Sequence, residues 1–415
     1  MDKLLQGEKV QWKTLGEVCE FQNGFAFQSS LFKATGLPIV RITNIDGVNV
    51  DLTDVKYFVP EDYKSGNPLN YSIEKGDILI AMSGATTGKI GYYNLDETAY
   101  LNQRVGKFIP NKELLNSRFL YHFLLTKADF LYVLAGGGAQ PNLSSNNLKE
   151  KLQIPIPPLE VQEKIVGILD KFTELTAELT AELTAELTAR KQQYEYYRNK
   201  LLTFNELNGG GCKLLTMSEL GVLIRGNGLP KSDFTETGVP AIHYGQIYTY
   251  YGTSTTKTIS FVSEETAKKL RKVNYGDVVI TNTSENIEDV GKSVLYLGEE
   301  EAVTGGHATI FKPSKDLITG KFFAYFTQTE HFASQKRKLA KGTKVIDVSA
   351  KDMEKIQIPV PPLEEQERIV GILDKFDTLT TSISEGLPKE IELRKNQYEY
   401  YRDLLLTFPP NNLVA

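Results

Sequence analysis

The most regular pattern of apolar and polar positions lies in the middle of the chain. Apolar residues there return at steps of three and four, which predicts a helix with one buried stripe; they are Ile165, Ile168, Leu169, Phe172 and Leu175. Three perfect copies of Thr-Ala-Glu-Leu follow at residues 176–187. Because Ala, Glu and Leu favour helices and no Gly or Pro interrupts the run, we predict one helix over Leu159–Phe204, about 46 residues or roughly 69 Å long.

The Thr-Ala-Glu-Leu copies place a leucine at every fourth position, so that the apolar face drifts by about 40° per copy. The leucines that we expect to line this spacer are Leu175, Leu179, Leu183 and Leu187. A second helical pattern begins after Pro361-Pro362 but has no such copies. Gly386 and Pro388 interrupt it, and we expect them to break this helix into two pieces.

The two helical patterns belong to a duplication. Ile154–Phe172 and Ile358–Phe376 match at 16 of 19 positions, 204 residues apart. Arg190–Phe204 and Arg394–Phe408 match at 12 of 15 positions at the same offset. Two matched blocks at one offset indicate a repeated unit, whose function lies in what differs between the copies.

The segments before each helical pattern are diverged copies of one globular unit. Short β-branched runs, Pro38–Ile45 and Asp277–Thr281, predict strands, whereas Ser117–Tyr132 and Thr319–Leu339 predict helices. The fold class is therefore α+β, with β-rich parts first and helical parts later. We place the globular units at residues 1–157 and 208–361, the spacer helices at 158–207 and 362–408, and a tail at 409–415.

Connectivity suggests how the helices are arranged. The first delivers the chain to the second globular unit, and the second must run back antiparallel if the apolar stripes pair as a coiled coil. We therefore expect a pseudo-two-fold rod with a globular unit at each end. Its length is about two turns of B-DNA, at 34–36 Å per turn.

Composition and charge argue against a few classes of protein but do not by themselves indicate a function. The chain has 415 residues, a formal net charge of −5 and two cysteines, Cys19 and Cys212, which suggests a reducing cytoplasm rather than a disulfide framework. No apolar run approaches a membrane span. The four histidines show no metal-ligand spacing, and the loop Gly84–Ile90 departs from a phosphate-binding loop. We find no catalytic constellation and expect neither a metal nor a cofactor on this chain.

Polar residues in the first unit cluster at predicted strand ends and in one glycine-rich segment. Asn and Gln pair naturally with adenine edges and Arg with guanine edges, whereas Lys suits phosphates. Each could instead cap a loop. The candidates for DNA contact in this unit are Arg41, Thr43, Asn44, Ser83, Thr86, Thr87, Lys89, Asn102, Gln103, Arg104, Gln140 and Asn142.

Equivalent places in the second unit carry different side chains. The segment Gln335–Lys344 concentrates cationic residues around Gly342, where they could meet phosphates or simply be solvated. A shared scaffold with two different surfaces suggests two different ligands of one kind. The candidates here are His243, Tyr244, Asn282, Ser284, Lys292, Lys336, Arg337, Lys338, Lys341 and Lys344.

These motifs resemble those of a known family over the whole chain. The paired IPxPPLExQE[KR]IVxILDKF segments, the Thr-Ala-Glu-Leu copies and the RKxQYEYYR segments are similar to specificity subunits of type I restriction–modification enzymes, in the branch whose spacer helix carries such copies. GDILIAMSGATTGKIG and GGGAQPNLS in the first unit strengthen the resemblance.

The resemblance implies a non-catalytic subunit that binds double-stranded DNA. Each globular unit would be a target-recognition domain reading one half of a bipartite, asymmetric site, and the spacer helices would dock two modification subunits. Those subunits would carry S-adenosylmethionine and methylate adenine at N6. Restriction subunits would join through the assembled complex and bring ATP and Mg²⁺. The Thr-Ala-Glu-Leu copies would then set the distance between the half-sites.

Two alternatives stay open from the sequence. One is a non-enzymatic coiled-coil scaffold with protein-binding end domains, which would not need divergent polar clusters. The other is an autonomous nuclease or methyltransferase, which would need motifs that we do not find.

Overall fold

The structure, a computed structural model, describes residues 5, 7–137, 141–204, 212–382 and 384–409. It divides into two compact units. Unit 1 comprises the described residues up to Thr180 together with those from Leu393 onward, and unit 2 comprises those of Ala181–Glu392. Each unit therefore contains one globular part and segments of both spacer regions.

The globular part of unit 1 is β-rich first and helical later, as predicted. Its strands are β1 (Gln11–Thr14), β2 (Cys19–Asn23), β3 (Leu37–Val40), β4 (Lys56–Phe58), β5 (Ser72–Ile73), β6 (Ile78–Ala81), β7 (Ile90–Tyr92), β8 (Ala99–Leu101), β9 (Val105–Pro110) and β10 (Gln153–Ile156). Its helices are α1 (Leu15–Val18), α2 (Ser117–Leu125), α3 (Ala128–Leu134) and α4 (Ser145–Lys151).

Two sheets form the β-rich part of unit 1. One has the order β2-β9-β6-β7 and is antiparallel. The other has the order β4-β3-β8-β5, with β3 and β8 parallel. A small antiparallel pair, β1 and β10, brings the beginning of the unit beside the strand that leads into the spacer.

Two sequence predictions for this unit need correction. The strand predicted over Pro38–Ile45 ends at Val40, and a 3-10 turn over Ile42–Asn44 follows it. The helix predicted over Ser117–Tyr132 is two helices, α2 and α3. In both cases the apolar pattern continues past the point at which the strand or helix ends, so the pattern alone did not predict the end of the element.

The first spacer is one continuous helix, α5 (Leu159–Leu202), of 44 residues. The prediction of an uninterrupted helix is confirmed, with an end two residues earlier than expected. The predicted buried stripe is only partly correct: Ile165 and Leu169 are fully buried, but Ile168, Phe172 and Leu175 are more than a third exposed. Among the repeat leucines, Leu175 and Leu179 are exposed, whereas Leu183 and Leu187 are half-buried.

Unit 2 begins a second set of strands and short helices. The strands are β11 (Lys213–Thr216), β12 (Gly221–Arg225), β13 (Phe234–Thr235), β14 (Val239–Ile242), β15 (Ser254–Thr255), β16 (Ser260–Val262), β17 (Arg271–Val273), β18 (Val278–Thr281), β19 (Thr283–Ser284), β20 (Ser293–Tyr296), β21 (Ala302–Thr304), β22 (Ala308–Pro313), β23 (Ile346–Asp347) and β24 (Gln357–Val360). The helices are α6 (Met217–Leu220), α7 (Tyr244–Thr249), α8 (Glu264–Lys269), α9 (Gly320–Phe326), α10 (Glu330–Leu339) and α11 (Ala350–Met353).

The sheets of unit 2 repeat those of unit 1 with additions. The order β12-β22-β18-β20 corresponds to β2-β9-β6-β7, and β15 is added at its edge. The order β16-β14-β21-β17 corresponds to β4-β3-β8-β5, again with a parallel central pair, and β13 is added. The helix predicted over Thr319–Leu339 is again two helices, α9 and α10. The prediction of two diverged copies is therefore confirmed at the level of topology.

The second spacer is broken, as predicted. It consists of α12 (Leu363–Thr381) and α13 (Gly386–Leu405). Gly386 has a φ of 80°, and a Cβ at this position would lie 2.6 Å from the carbonyl oxygen of Thr378. Only glycine fits this left-handed conformation and close approach, so the residue ends the continuity of the helix.

One glutamine attaches each globular part to the helix that follows it. In unit 1, the Gln162 side-chain amide donates to the carbonyl oxygens of Leu114 and Pro157 at 2.9 and 2.8 Å and accepts from the Asn116 backbone at 2.8 Å. In unit 2, Gln366 makes the same three bonds with Leu317, Pro361 and Thr319. Both glutamines are fully buried.

The end of the second spacer packs within unit 1. The Trp12 indole donates to the carbonyl oxygen of Pro409 at 2.9 Å, and Leu406 and Phe408 join the main core of the unit. Tyr401 stacks on Phe172 at 5.9 Å between ring centroids. In unit 2 the matching residues come from the end of α5, where Leu202 is buried in the corresponding core. The duplicated Arg-Lys…Thr-Phe blocks thus play equivalent packing roles.

Candidate nucleic-acid interface

In unit 1, backbone hydrogen bonds bring together four segments that the sequence singled out. The Asn102 amide donates to the Val40 carbonyl at 3.1 Å, the Met82 amide donates to the Arg104 carbonyl at 2.8 Å, and the Leu143 amide donates to the Met82 carbonyl at 2.7 Å. These bonds join the ends of β3, β6 and β8 to the segment after α3. The predicted residues of unit 1 therefore surround one edge of its two sheets.

This edge presents a mixture of charged and amide side chains. The exposed candidates are Thr43, Lys89, Gln103, Arg104 and Asn142, and the half-buried candidates are Arg41, Ser83, Thr86 and Asn102. The Thr86 hydroxyl lies 3.3 Å from the Ile42 carbonyl, which ties two of the loops together. Gln140 lies outside the described residues.

Two candidates of unit 1 are structural. Asn44 is 4% exposed; its amide donates to the carbonyl oxygens of Asp51 and Asp54 at 2.9 and 3.0 Å and accepts from the Arg41 amide. Thr87 is 8% exposed, and its hydroxyl lies 2.6 Å from the Gly84 carbonyl. The polar atoms of both side chains are buried and already bonded, so their contact with DNA stays a prediction that would require these bonds to break.

In unit 2 the same backbone pattern recurs with a different loop. The Asn282 amide donates to the His307 carbonyl at 2.8 Å, and the Val348 amide donates to the Asn282 carbonyl at 2.9 Å, as for Met82 and its partners. The Lys341 and Asp347 backbones exchange two hydrogen bonds of 2.9 and 2.8 Å. These bonds close a hairpin at residues 341–347, which replaces the glycine-rich segment of unit 1.

An aromatic group lies next to the 341–347 hairpin. The Tyr244 ring lies 4.4 Å from that of His243 and 4.9 Å from that of His307, measured between centroids. His307 Nδ1 lies 2.9 Å from the hydroxyl of Thr283, which pairs with Asp347 across the β19–β23 ladder. The edge of unit 2 thus offers the Tyr244 ring and the His307 imidazole where unit 1 offers amides.

Four candidates of unit 2 are also buried, and their contact with DNA stays a prediction that would require local rearrangement. Asn282 is fully buried; its amide donates to the Val348 carbonyl at 2.9 Å and accepts from the Thr309 hydroxyl at 2.8 Å. Ser284 lies within the β19–β23 ladder at 7% exposure. His243 is 7% exposed, and burial lowers the pKa of its ring.

The fourth is Lys336, which is 6% exposed. Its ammonium group donates to the Val290 and Glu288 carbonyl oxygens at 2.6 and 3.3 Å, and burial lowers its pKa to about 8. Its aliphatic stem fills the space beside Gly291, where an added Cβ would lie 2.8 Å from the Lys336 side chain. The Lys336 ammonium group therefore stabilises the loop on which Lys292 lies and does not face solvent, where a phosphate could bind.

The remaining cations of unit 2 differ in their partners. Lys292 pairs with Asp289 at 2.6 Å, Arg337 pairs with Glu330, and Lys341 pairs with Asp352 at 3.0 Å. The pKa of the Asp352 carboxyl is lowered by hydrogen bonds from Lys355, Lys341 and Ser349. Lys338 and Lys344 are exposed and have no ion pair within the part of the chain that the structure describes.

Sequence reasoning missed two residues of this edge. Arg225, at the end of β12, donates to the Gly306 carbonyl at 3.3 Å and lies 3.7 Å from the Asp347 carboxylate. His307 sits where Arg104 sits in unit 1, as the shared backbone bonds show. Aligning Gly305–His307 with Asn102–Arg104 would have found the second, but nothing local to Arg225 marks it.

The described residues contain no cluster of three or more His, Cys, Asp or Glu side chains that could hold a metal ion. Within the same ranges, no helix has the length and apolar character needed to cross a membrane. Both edges display polar side chains at strand ends that backbone hydrogen bonds join.

Comparison with known proteins gives the same picture across the whole length. The sequence profile of the type I restriction modification DNA specificity domain matches twice, over residues 7–189 and 212–393. A putative type I restriction enzyme specificity subunit of Haemophilus influenzae is 35% identical, over 98% of each chain. The specificity subunit of EcoR124I/EcoR124II from Escherichia coli is 32% identical, over 100% of this chain and 98% of the relative.

Solved structures agree on the fold. A chain from a study of complex assembly and conformational transition of the type I R-M system aligns with a TM-score of 0.69 at 20% identity, covering 96% of this chain and 98% of that one. The HsdS subunit of Thermoanaerobacter tengcongensis aligns with a TM-score of 0.55 at 19% identity, covering 96% of each chain. The chain therefore belongs to the family of type I restriction–modification specificity subunits and carries two DNA specificity domains.

Proposed function

We propose that this chain is the DNA-reading subunit of a type I restriction–modification complex, in which each unit reads one half of a bipartite, asymmetric site. One observation carries this proposal. The same backbone bonds hold the sheet edge in both units, yet the side chains displayed there differ almost completely. A packing surface would keep its residues in both copies, whereas two readers of different sequences need different donors and acceptors.

The duplicated spacer segments would dock two modification subunits. Ile168, Phe172 and Leu175 are exposed on α5 within unit 1, and an exposed apolar patch of this kind marks an interaction site. The equivalent residues of α12 have the same identities and are half-buried, which suits two copies of one partner; they are Ile372, Phe376 and Leu379. Restriction subunits would join the assembled complex. S-adenosylmethionine, ATP and Mg²⁺ would be bound by these partners, and the chemistry would take place there.

The Thr-Ala-Glu-Leu copies would set the separation of the half-sites. Each copy contributes four residues to α5, which is about 6 Å of length and about 40° of rotation. Because base pairs repeat every 3.4 Å, one copy corresponds to about one or two base pairs of unspecified sequence.

Deleting Thr180–Leu183 tests this role. Genomic methylation is mapped in cells that produce the variant with its modification subunit. We expect the gap between the half-sites to shorten while both half-site sequences stay the same. A variant such as Glu182→Ala, which keeps the length, is the control and should leave the gap unchanged. Altered half-site bases, or an unchanged gap in the deletion variant, would refute the role of the spacer.

A further inference from the structure

The two ends of the 341–347 hairpin are fixed by hydrogen bonds, whereas its tip is exposed. Its base is closed by the two Lys341–Asp347 backbone bonds, and Gly342 turns the chain at a φ of 102°. Val348 follows the hairpin directly; its backbone amide donates to the Asn282 carbonyl, and its carbonyl accepts from the side-chain amide of Asn282, which is fully buried. The tip residues Thr343, Lys344 and Val345 are exposed, with 58% of Val345 accessible.

The segment is a seven-residue loop closed by one antiparallel bridge between Lys341 and Asp347. Its three-residue tip is no larger than the two-stranded β-ribbon that the major groove of B-DNA, about 12 Å wide, admits. A rigid base matters as well, because a recognition side chain loses less conformational freedom on binding when its backbone is already ordered. At the base of the hairpin Lys341 pairs with Asp352 and Asp347 lies 3.7 Å from Arg225, whereas the tip residues Thr343, Lys344 and Val345 form no ion pair with the described residues.

The other cationic side chains near the tip already have partners within unit 2. Lys341 is paired with Asp352 and Arg337 with Glu330, and the ammonium group of Lys336 is buried against carbonyl oxygens. Lys344 is the exposed cation at the tip that has no such partner within the described residues. An ammonium group offers donors only, so it cannot bond to the amino group of cytosine. Guanine presents two adjacent acceptors in the major groove, O6 and N7, whereas adenine N7 and thymine O4 are single acceptors, so guanine suits this group best.

Resting on the function proposed above, we infer that the tip of the 341–347 hairpin is the base-reading element of unit 2, with Lys344 reading a guanine and Val345 contacting a neighbouring thymine methyl group. Asn282 and Thr309 are positioning residues that fix the hairpin to the sheet. The half-site of unit 2 therefore contains a G·C pair next to an A·T pair. In unit 1 the equivalent segment carries Asn142, whose amide suits adenine instead.

The test is Lys344→Ala, co-expressed with the modification subunit and read out as a genomic methylation map. A base contact of this kind contributes discrimination of about 5- to 150-fold. We expect one guanine position of one half-site to become degenerate by that factor, while the other half-site keeps its sequence. Lys344→Arg, which preserves donors to guanine, should restore the requirement. Val345→Ser should relax a neighbouring thymine.

Two matched variants make the outcome unambiguous. Lys338→Ala removes an exposed cation outside the hairpin and should leave the motif unchanged. Arg104→Ala changes the edge of unit 1 and should relax the sequence requirement of the other half-site only. The two variants together therefore assign each half-site to one unit. An unchanged motif in Lys344→Ala, or no guanine in the half-site of unit 2, would overturn the inference while leaving the proposed function in place. Absence of any divided methylated motif with the wild-type chain would instead refute the proposed function.

Discussion

A buried amide makes three of the hydrogen bonds that attach each globular part to its spacer helix, beside the bonds of Arg118 and His122 to Asp170 in unit 1, and it gives a quantitative prediction for Gln162→Ala. The substitution leaves the Asn116 amide and the carbonyl oxygens of Leu114 and Pro157 buried without partners. Each unsatisfied group costs about 1–3 kcal/mol, and partial relaxation limits the sum. We expect the free energy of unfolding of unit 1 to fall by about 3–5 kcal/mol.

Fluorescence can follow unit 1 separately because the chain has a single tryptophan. Trp12 lies in unit 1, where its indole bonds to the Pro409 carbonyl. With a urea dependence of about 2 kcal/mol per molar, the loss should lower the midpoint of the tryptophan transition by roughly 1.5–2.5 M. The measurement is an equilibrium urea titration monitored by tryptophan emission and, in parallel, by far-ultraviolet circular dichroism.

Two controls separate this effect from a general loss of helix stability. Glu163→Ala changes an exposed neighbour on the same helix and should leave the midpoint nearly unchanged. Gln366→Ala removes the equivalent amide of unit 2 and should shift the circular dichroism transition more than the tryptophan transition. If Gln162→Ala shifts the tryptophan midpoint no more than Glu163→Ala does, the three hydrogen bonds do not hold the unit together and the reasoning is wrong.

Two further predictions concern pH and backbone conformation. Burial lowers the pKa of His122 in unit 1 to about 4, from a value near 6.5 in the unfolded chain. As the pH drops from about 6.5 to 4, the unfolded state takes up a proton that the folded state does not, so the free energy of unfolding falls by up to about 3 kcal/mol. In unit 2 the equivalent residue is Tyr325, whose hydroxyl donates to the Asp374 carboxylate at 2.6 Å, as His122 contacts Asp170 at 2.8 Å. His122→Tyr copies this arrangement and should flatten the pH dependence; a tryptophan midpoint that still falls as steeply as in the wild type between pH 7.5 and 5 would count against it. Gly386→Ala should destabilise unit 2 by about 2 kcal/mol, because its left-handed backbone resists a Cβ. Gly371→Ala, at an exposed helical glycine with open space around it, should instead stabilise the unit by about 0.5–1 kcal/mol, and equal effects of the two substitutions in thermal melts would contradict the geometry.

The spacer helices were predictable because their signals are local. The Thr-Ala-Glu-Leu copies and the absence of Gly and Pro predicted α5, and Gly386 with Pro388 predicted the break between α12 and α13. The burial of the apolar stripe was harder to predict. Periodicity identifies one face of a helix, but how much of that face is covered depends on what packs against it, and Ile168 stays exposed.

The convergence of polar strand ends at one edge of each unit was predictable from the sequence, whereas the burial of each polar side chain was not. Strand ends marked by polar side chains do converge in both units. Asn282, however, is buried by a partner 66 residues away in sequence, and Lys336 by one 46 residues away. The sequence does not show whether a polar side chain is exposed to solvent or bonded to a distant carbonyl group. Only the folded structure shows that Lys344 is exposed and that Lys336 is buried.

The central claim is that the two units read two different halves of one divided DNA site. Mapping methylated adenines in a genome that encodes this chain with its modification subunit tests that claim most directly. We predict a single asymmetric motif with two specified halves, a fixed unspecified gap between them and a methylated adenine in each half. Methylation at one continuous sequence, or no methylation that depends on this chain, would contradict it.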